Sequence, residues 1–569
     1  MLLPAVASGV LLWTAFFPLD LGPVAFVAMV PFLTLVRAEN VGPTRRYLAA
    51  FAGGLVFSVL ALKWIRVAHP MMAYFAWPGL SLYCALYWPL ALLLLRKLDR
   101  LNLPLAATFP VVWVALEYVR AHAPTGFAFL EYVHLHQFTG FGWYFLGYTQ
   151  HRVLPLVQAA DLGGVYLVSA AVAAVNGGVY EWAVRSKALR WLLRWPPAPH
   201  RREWVREAYI TTGAVSVPLL LICYGTMQLV HPPFEKGPRV AAIQGNLPQN
   251  DKMVRGERSD ETPRAREYDT QARLAARAGP NTPAPDLIVW PETCWPDDWL
   301  AVRPGVPDDP QLADTPARVA AYQKKLGDKA VALTGTSCLL GLNTQEWDGT
   351  DWRRFNSAVL VRPDGGFAGR YDKIHLVPFG EYVPLKDYLP WMQTFTPYAR
   401  TNDYSCTPGE SWTRFELPTA KGTFRFGMLI CYEDTDPAMA RRYNPTSGQG
   451  PGVDFLVNIS NDGWFDGSEE HEQHLAICRF RAVEARRSII RAVNMGISAL
   501  IDPDGKVAAL PIEESWAASK KTRGVVRADI PLDHRGSFYA AAGDWVPGLF
   551  WGLIAAGLVT RRLRRRQTT

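Results

Sequence analysis

The stretch Phe424-Arg-Phe-Gly-Met-Leu-Ile-Cys431-Tyr-Glu-Asp434 carries an apolar run that breaks abruptly into charge at a cysteine. An apolar run without alternation reads as a strand buried on both faces, the kind a layered α/β core supplies. Two earlier segments break in the same way: Asp286-Leu-Ile-Val-Trp-Pro-Glu292-Thr and Arg370-Tyr-Asp-Lys373-Ile-His-Leu-Val-Pro-Phe-Gly-Glu381. A thiol, a carboxylate and an ammonium, each at a strand end or in the loop after one, are the makings of an acyl-transfer site. They lie far apart in sequence, so only folding can assemble them.

Around these segments the pattern alternates between strands and helices. It predicts strands over 240–244, 286–290, 330–335, 423–430, 455–460 and 488–494, and helices over 263–279, 315–326 and 470–486. Thr262 caps the first helix, Pro263 occupies its first turn and Gly279 ends it. Asp364-Gly365-Gly366 and Asp504-Gly505 mark hairpin turns. Residues 401–422 and 441–452 read as surface loops.

The remainder of the 569-residue chain has a different character. Apolar runs near 3–18, 22–36, 47–65, 72–95, 104–120, 162–184, 209–230 and 545–560 predict about eight membrane spans. The first lacks the basic start of a signal peptide and is read as a retained span. Three domains follow: a membrane domain over 1–236 with about seven spans, an α/β domain over 237–531, and a return segment with the last span and a basic tail over 532–569.

Charge orients them. Arg37, Arg45 and Arg46, then Arg96, Lys97 and Arg100, then seven cations from Arg185 to Arg206, and five from Arg561 to Arg566 fall in alternate loops and the tail. They face only Glu39, Asp99, Glu203 and Glu207, while the whole chain carries +8, so everything else is net negative. This asymmetry predicts both termini inside and the α/β domain outside. It also accounts for the basic balance without a nucleic-acid partner, for which no fold signature is present.

The seven cysteines include no C-x-x-C pair, so a zinc site is not expected. Five of them (Cys294, Cys338, Cys406, Cys431 and Cys478) fall in the outer domain, where disulfides could form; the odd number leaves at least one free. His471-Glu472-Gln473-His474 has a spacing unlike His-Glu-x-x-His and reads as a polar helix start.

A cysteine is nucleophilic as its thiolate, and a free thiol with a pKa of about 8.5 is mostly protonated at neutral pH. Glu292, in an apolar setting between Trp290 and Trp295, serves as base if desolvation raises its pKa. Lys373 and the backbone N–H of Tyr432 are candidate oxyanion donors. No histidine is required.

Taken together, residues 239–530 resemble the nitrilase-like superfamily with its Glu-Lys-Cys triad. The segments Ile243-Gln-Gly-Asn246, Trp290-Pro-Glu292, Tyr371-Asp-Lys373, Pro378-Phe-Gly-Glu381-Tyr-Val-Pro384, Ile430-Cys431-Tyr-Glu433 and Asn458-Ile-Ser-Asn461-Asp-Gly-Trp464-Phe are similar to the apolipoprotein N-acyltransferase family. So are Glu117-Tyr-Val-Arg120, Gly140-Phe-Gly-Trp143, Gly147-Tyr-Thr-Gln150 and Gly543-Asp-Trp545.

The resemblance implies a polytopic helical membrane bundle carrying an α-β-β-α sandwich. It implies Cys431 as nucleophile, Glu292 as general base and Lys373 as support for thiolate and oxyanion, with Glu381, Tyr432 and Glu433 at further important positions. The implied acyl donor is a phospholipid, typically phosphatidylethanolamine. The acceptor is the α-amine of diacylglyceryl-cysteine on an apolipoprotein. No cofactor is implied, and the expected setting is a monomer in the bacterial inner membrane with its catalytic domain in the periplasm. Met253, Gly142 and the Ser537-Phe-Tyr-Ala-Ala-Ala542 segment depart from the usual family pattern.

Secondary signals are weaker. Trp143, Tyr148 and Trp464 are candidate lipid contacts, with Tyr144, Trp391 and Phe465 nearby in type; aromatic residues are also common at any membrane interface. Glu117 and Arg120 lie one helical turn apart near the outer end of a span, either as a functional pair or as an ion pair fixing helices. Two rival readings use the same residues: a membrane-tethered nitrilase-type amidohydrolase, and a membrane scaffold with an inactive domain.

Overall fold

The computed structural model describes the chain except for residues 40, 70–71, 128–129, 131–138, 187–203, 253, 255–260, 280–282, 307–315, 385, 387, 392–404, 448–449 and 569. Met253 therefore lies outside the described residues. The chain divides into two compact units: residues 1–66, 70–231 and 542–569 form one, and residues 67–69 with 232–541 form the other.

The first unit is helical. Three of its helices, Met72–Asp99, Ala160–Arg185 and Ala208–Gln228, are long and apolar enough by length and composition to cross a membrane, and Leu2–Thr14 and Gly22–Leu33 are shorter apolar helices. The runs expected near 47–65, 104–120 and 545–560 also fold as helices, Pro43–Ala61, Leu105–His122 and Trp545–Thr568. Small residues let these helices approach closely: a Cβ on Gly53 would lie 2.4 Å from the Ala5 carbonyl oxygen. Arg37 ties three segments together, 2.9 Å from Asp99 and 2.8 Å from Glu181.

The second unit holds two sheets. Its strands are β1 (Glu235–Gln244), β2 (Leu287–Val289), β3 (Trp299–Val302), β4 (Ser337–Trp347), β5 (Trp352–Val361), β6 (Phe367–Asp372), β7 (Phe415–Thr419), β8 (Gly422–Ile430), β9 (Phe455–Asn461), β10 (Ser488–Asn494), β11 (Ala499–Ile501), β12 (Val507–Ala509) and β13 (Gly524–Leu532). One sheet runs β13-β1-β2-β4-β5-β6 with β3 on β4; the other runs β12-β11-β10-β9-β8-β7. The inner strands β1, β2 and β4 pair in parallel, as do β8, β9 and β10. Strands β1 and β10 pack against each other between the sheets, and helices Pro263–Ala276 and Pro316–Thr334 lie against the first sheet.

Most predicted elements fall where expected. Thr262 accepts the Ala265 N–H at 3.2 Å, as a cap should. Asp364-Gly365-Gly366 joins β5 to β6, and Asp504-Gly505 lies between β11 and β12. Two expectations fail. Residues 330–334 continue the helix Pro316–Thr334, which stops at Gly335 with φ +70°. A short apolar run fits a buried helix as well as a strand, and here the helix won. The segment taken as a loop at 401–422 contains β7, whose Phe415 and Leu417 face inward while Glu416 and Pro418 are exposed. An edge strand tolerates such a proline. All seven cysteines are unpaired thiols.

Candidate active site

Cys431 follows β8 and opens the 3-10 turn Cys431–Thr435 with φ +51°. A left-handed conformation costs a non-glycine residue about 1–3 kcal/mol and persists only where its surroundings over-determine it. Glu433 supplies that restraint. Its carboxylate accepts the N–H groups of Ile430 at 2.7 Å, Ile374 at 2.7 Å and His375 at 3.0 Å, and the Tyr371 hydroxyl at 2.8 Å. Glu433 thus staples the residue before Cys431 to the residues after Lys373. Burial pushes its carboxyl up to about 7, against the pull of those donors.

Lys373 follows β6 and is fully enclosed, 1% exposed. Its own N–H donates to the Asn356 carbonyl at 2.8 Å, and its carbonyl accepts from Gly409 at 2.9 Å. Its Nζ lies 3.2 Å from Glu292 Oε1 and 2.9 Å from Glu381 Oε2. Asn356, on β5, links the same two carboxylates from the other side, donating to Glu292 Oε1 at 2.6 Å and Glu381 Oε1 at 2.8 Å.

Glu292 sits in the turn after β2. A Cβ at Gly341 would lie 2.1 Å from the Pro291 carbonyl oxygen, so glycine there lets this turn rest on β4. The structure thus gathers Glu292, Lys373 and Glu381 into direct contact, with Cys431 within electrostatic range of Glu292 and Lys373. Tyr432 meets His375 edge-on, ring centroids 5.1 Å apart.

The charges settle on one arrangement. Burial disfavours the Lys373 ammonium, but Glu292, Glu381 and Cys431 together raise its pKa well above the ordinary lysine value. Burial alone would raise Glu292; Lys373, Lys252 and the Asn356 hydrogen bond outweigh it and hold the carboxyl below its usual range. The apolar neighbourhood read from sequence therefore does not set the Glu292 pKa, because two buried cations reach it. Burial, then the Glu292 charge, pushes the Cys431 thiol up to about 12. The resting site holds a neutral thiol beside an ionised carboxylate.

A polar network lies next to this site. Arg491 on β10 reaches Asp434 Oδ2 at 2.8 Å, Asn458 Oδ1 at 2.8 Å and Asp462 Oδ2 at 3.1 Å. His474 reaches Asp434 Oδ1 at 2.7 Å and Asp462 Oδ1 at 3.3 Å. Asp462, Glu470 and His474 place potential metal-ligand atoms within 4.8 Å of one another. Arg491 Nη2 also lies 2.8 Å from His474 Nδ1, so the guanidinium sits in this cluster against Asp434, Asp462 and His474.

Other predicted residues sit elsewhere. Trp143 and Tyr148 are buried in the helical unit, Trp143 against Trp64 and Tyr148 against Phe145. Trp464 is half-buried in the turn Asp462–Phe465, and Trp391 is exposed. Glu117 and Arg120 each serve the segment 141–146. Arg120 donates to the carbonyls of Phe141 at 2.9 Å and Trp143 at 2.7 Å, and Glu117 accepts the Leu146 N–H at 2.7 Å. Sequence reasoning missed Asn356 and Lys252. The only signal for Asn356 was a polar pair, Asn356-Ser357, inside a strand otherwise apolar toward its end.

Two facing sheets with a glutamate, a lysine and a cysteine at their strand ends define a carbon-nitrogen hydrolase domain, and residues 239–539 match that family. Residues 8–178 match the apolipoprotein N-acyltransferase N-terminal domain. An apolipoprotein N-acyltransferase of Geobacter metallireducens is 33% identical over 574 residues, covering 99% of this chain and 95% of that protein. Another, of Azotobacter vinelandii, is 30% identical over 516 residues, covering 88% and 85%. The chain belongs to the apolipoprotein N-acyltransferase family. Among solved structures, Saccharomyces cerevisiae Nit3 of the nitrilase superfamily is similar at 16% identity, covering 53% of this chain and 92% of that one with a TM-score of 0.34.

Proposed function

We propose that the protein moves an acyl chain from a phospholipid, typically phosphatidylethanolamine, onto the N-terminal amine of diacylglyceryl-cysteine of apolipoproteins, through a thioester on Cys431. The observation that carries this reading is the buried Lys373 held between Glu292 and Glu381, with Cys431 beside it on the Glu433 staple. In the first half-reaction Glu292 takes the thiol proton as Sγ attacks the ester carbonyl. Lys373 and the Tyr432 N–H stabilise the oxyanion. The carbon–oxygen bond to glycerol breaks, Glu292 returns the proton to the leaving oxygen, and lysophospholipid departs. In the second half the neutral amine attacks the thioester and gives a proton to Glu292. The carbon–sulfur bond breaks, and the thiolate recovers that proton.

The same reading places about eight spans in the bacterial inner membrane, with both termini cytoplasmic and the catalytic domain periplasmic, and the protein acting as a monomer. The basic loops and the apolar helices support it.

Purified protein with labelled phospholipid and a diacylglyceryl-cysteine peptide should yield amide-linked acyl peptide and lysophospholipid in equal amounts. Free fatty acid without amide would make the protein a hydrolase and overturn the proposal.

The protonation state also predicts a pH profile. Glu292 is ionised above its depressed pKa and the Cys431 thiol stays protonated up to about 12. The rate of acyl-enzyme formation should therefore be flat from about pH 5 to about pH 9, falling in acid only below the ordinary glutamate range. An acid limb near about pH 6.5 would reveal a histidine base and contradict the assignment.

A further inference from the structure

Lys252 ends the single helical turn Gln249–Lys252 and is only 3% exposed. A buried lysine needs partners. Its Nζ donates to the Glu292 carbonyl at 3.0 Å and to Thr293 Oγ1 at 2.6 Å. The turn it grips is unusual: Thr293 has φ +50°, and Cys294 Sγ donates to the same Glu292 carbonyl at 3.3 Å. The lysine is anchored in turn. Gln249 accepts from Asn461 at the end of β9 at 2.9 Å, and Leu247 exchanges hydrogen bonds with Asn494 at the end of β10, both at 2.9 Å. A chain segment fixed to one sheet thus delivers an ammonium to the turn that presents Glu292 from the other.

We propose that Lys252 is a positioning residue for the acyl-transfer reaction: it fixes the Glu292–Thr293 turn, and its charge keeps the Glu292 carboxylate ionised in the resting enzyme. This rests on the assignment of Glu292 and Cys431 made above. The site holds two carboxylates, Glu292 and Glu381, and Lys373 is shared between them. One ammonium cannot balance both, and Lys252 supplies the second positive charge: burial lowers its pKa, and the neighbouring Glu292 charge pulls the other way. Cys431, Cys294 and Cys406 face the site as thiols; Arg264 is also a cation, but it donates to the Thr293 and Pro296 carbonyls further along the turn, whereas Lys252 donates to the Glu292 carbonyl itself. Burial raises the Glu292 pKa, and Lys373 first and Lys252 second pull it below its usual range, which agrees with this role.

Lys252→Gln keeps an N–H donor for the turn and removes only the charge. Lys252→Arg keeps the charge. The readout is the pH dependence of acyl-adduct formation on Cys431 from labelled phospholipid alone. Losing a nearby cation raises a carboxyl pKa, so the acid limb of Lys252→Gln should move to higher pH by about one unit or more, and Lys252→Arg should stay near wild type. An unshifted limb in Lys252→Gln, with wild type forming adduct, would overturn this role while leaving the proposed reaction intact. Loss of cooperative melting in both variants would also overturn it, by making Lys252 purely structural. Absence of adduct on wild type would instead sink the proposed reaction itself.

Discussion

Cys431→Ala is expected to lower acyl transfer by at least about a thousandfold, because a residue that forms the covalent intermediate cannot be bypassed by its partners. The fold should survive. Cys431 is half-buried at the start of a short turn, and the contacts that hold this turn come from Glu433. Alanine at φ +51° carries no added side-chain burden, so the melting temperature should stay close to wild type. Cys431→Ser is the sharper comparison. It keeps the shape and offers a hydroxyl to the same base, yet an alcohol is far less acidic than a thiol. Residual transfer above about one tenth of wild type in either variant would contradict a thioester route.

Arg491→Met is expected to cost about 3–5 kcal/mol of stability, since removing one partner of a buried ion network strands the others. Three groups lose a charged donor: Asp434, Asn458 and Asp462, of which the two aspartates keep His474. All three are enclosed, so water cannot replace the guanidinium. Burial and Arg491 both oppose charge on His474, while Asp434 and Asp462 favour it, so the imidazolium offsets only part of the loss. The network joins β10 to the turn that carries Cys431, through Asp434, and the damage should therefore reach catalysis as well. Thermal melting should show a fall of roughly 10 °C, with transfer reduced even below the transition. A change under about 1 kcal/mol would mean that the carboxylates are already balanced without Arg491.

The parts of this protein that were legible in its sequence share a physical cause. Strand β8 from Phe426 to Ile430, and β9 and β10 along their length, are buried on both faces, and the apolar run that ends β8 made Cys431 stand out. Glycine turns announced two hairpins. Edge and half-exposed strands such as β7 lacked that signal, and Phe415 and Leu417 were too few to show alternation. The site was legible as three residue types at strand ends, while its electrostatics were not. Glu292 is controlled by Lys373, Lys252 and Asn356, each brought to it from a different strand or loop. Glu433 stood out in sequence only through the family resemblance; geometry makes it the clamp between the Cys431 and Lys373 segments.

The most direct measurement is peptide-resolved mass spectrometry of the wild-type protein after incubation with phospholipid and no acceptor. The account predicts a single acyl chain on Cys431, removed by neutral hydroxylamine and discharged as amide when a diacylglyceryl-cysteine peptide is added. No adduct, an adduct on any other residue, or one that persists in Cys431→Ala would contradict it.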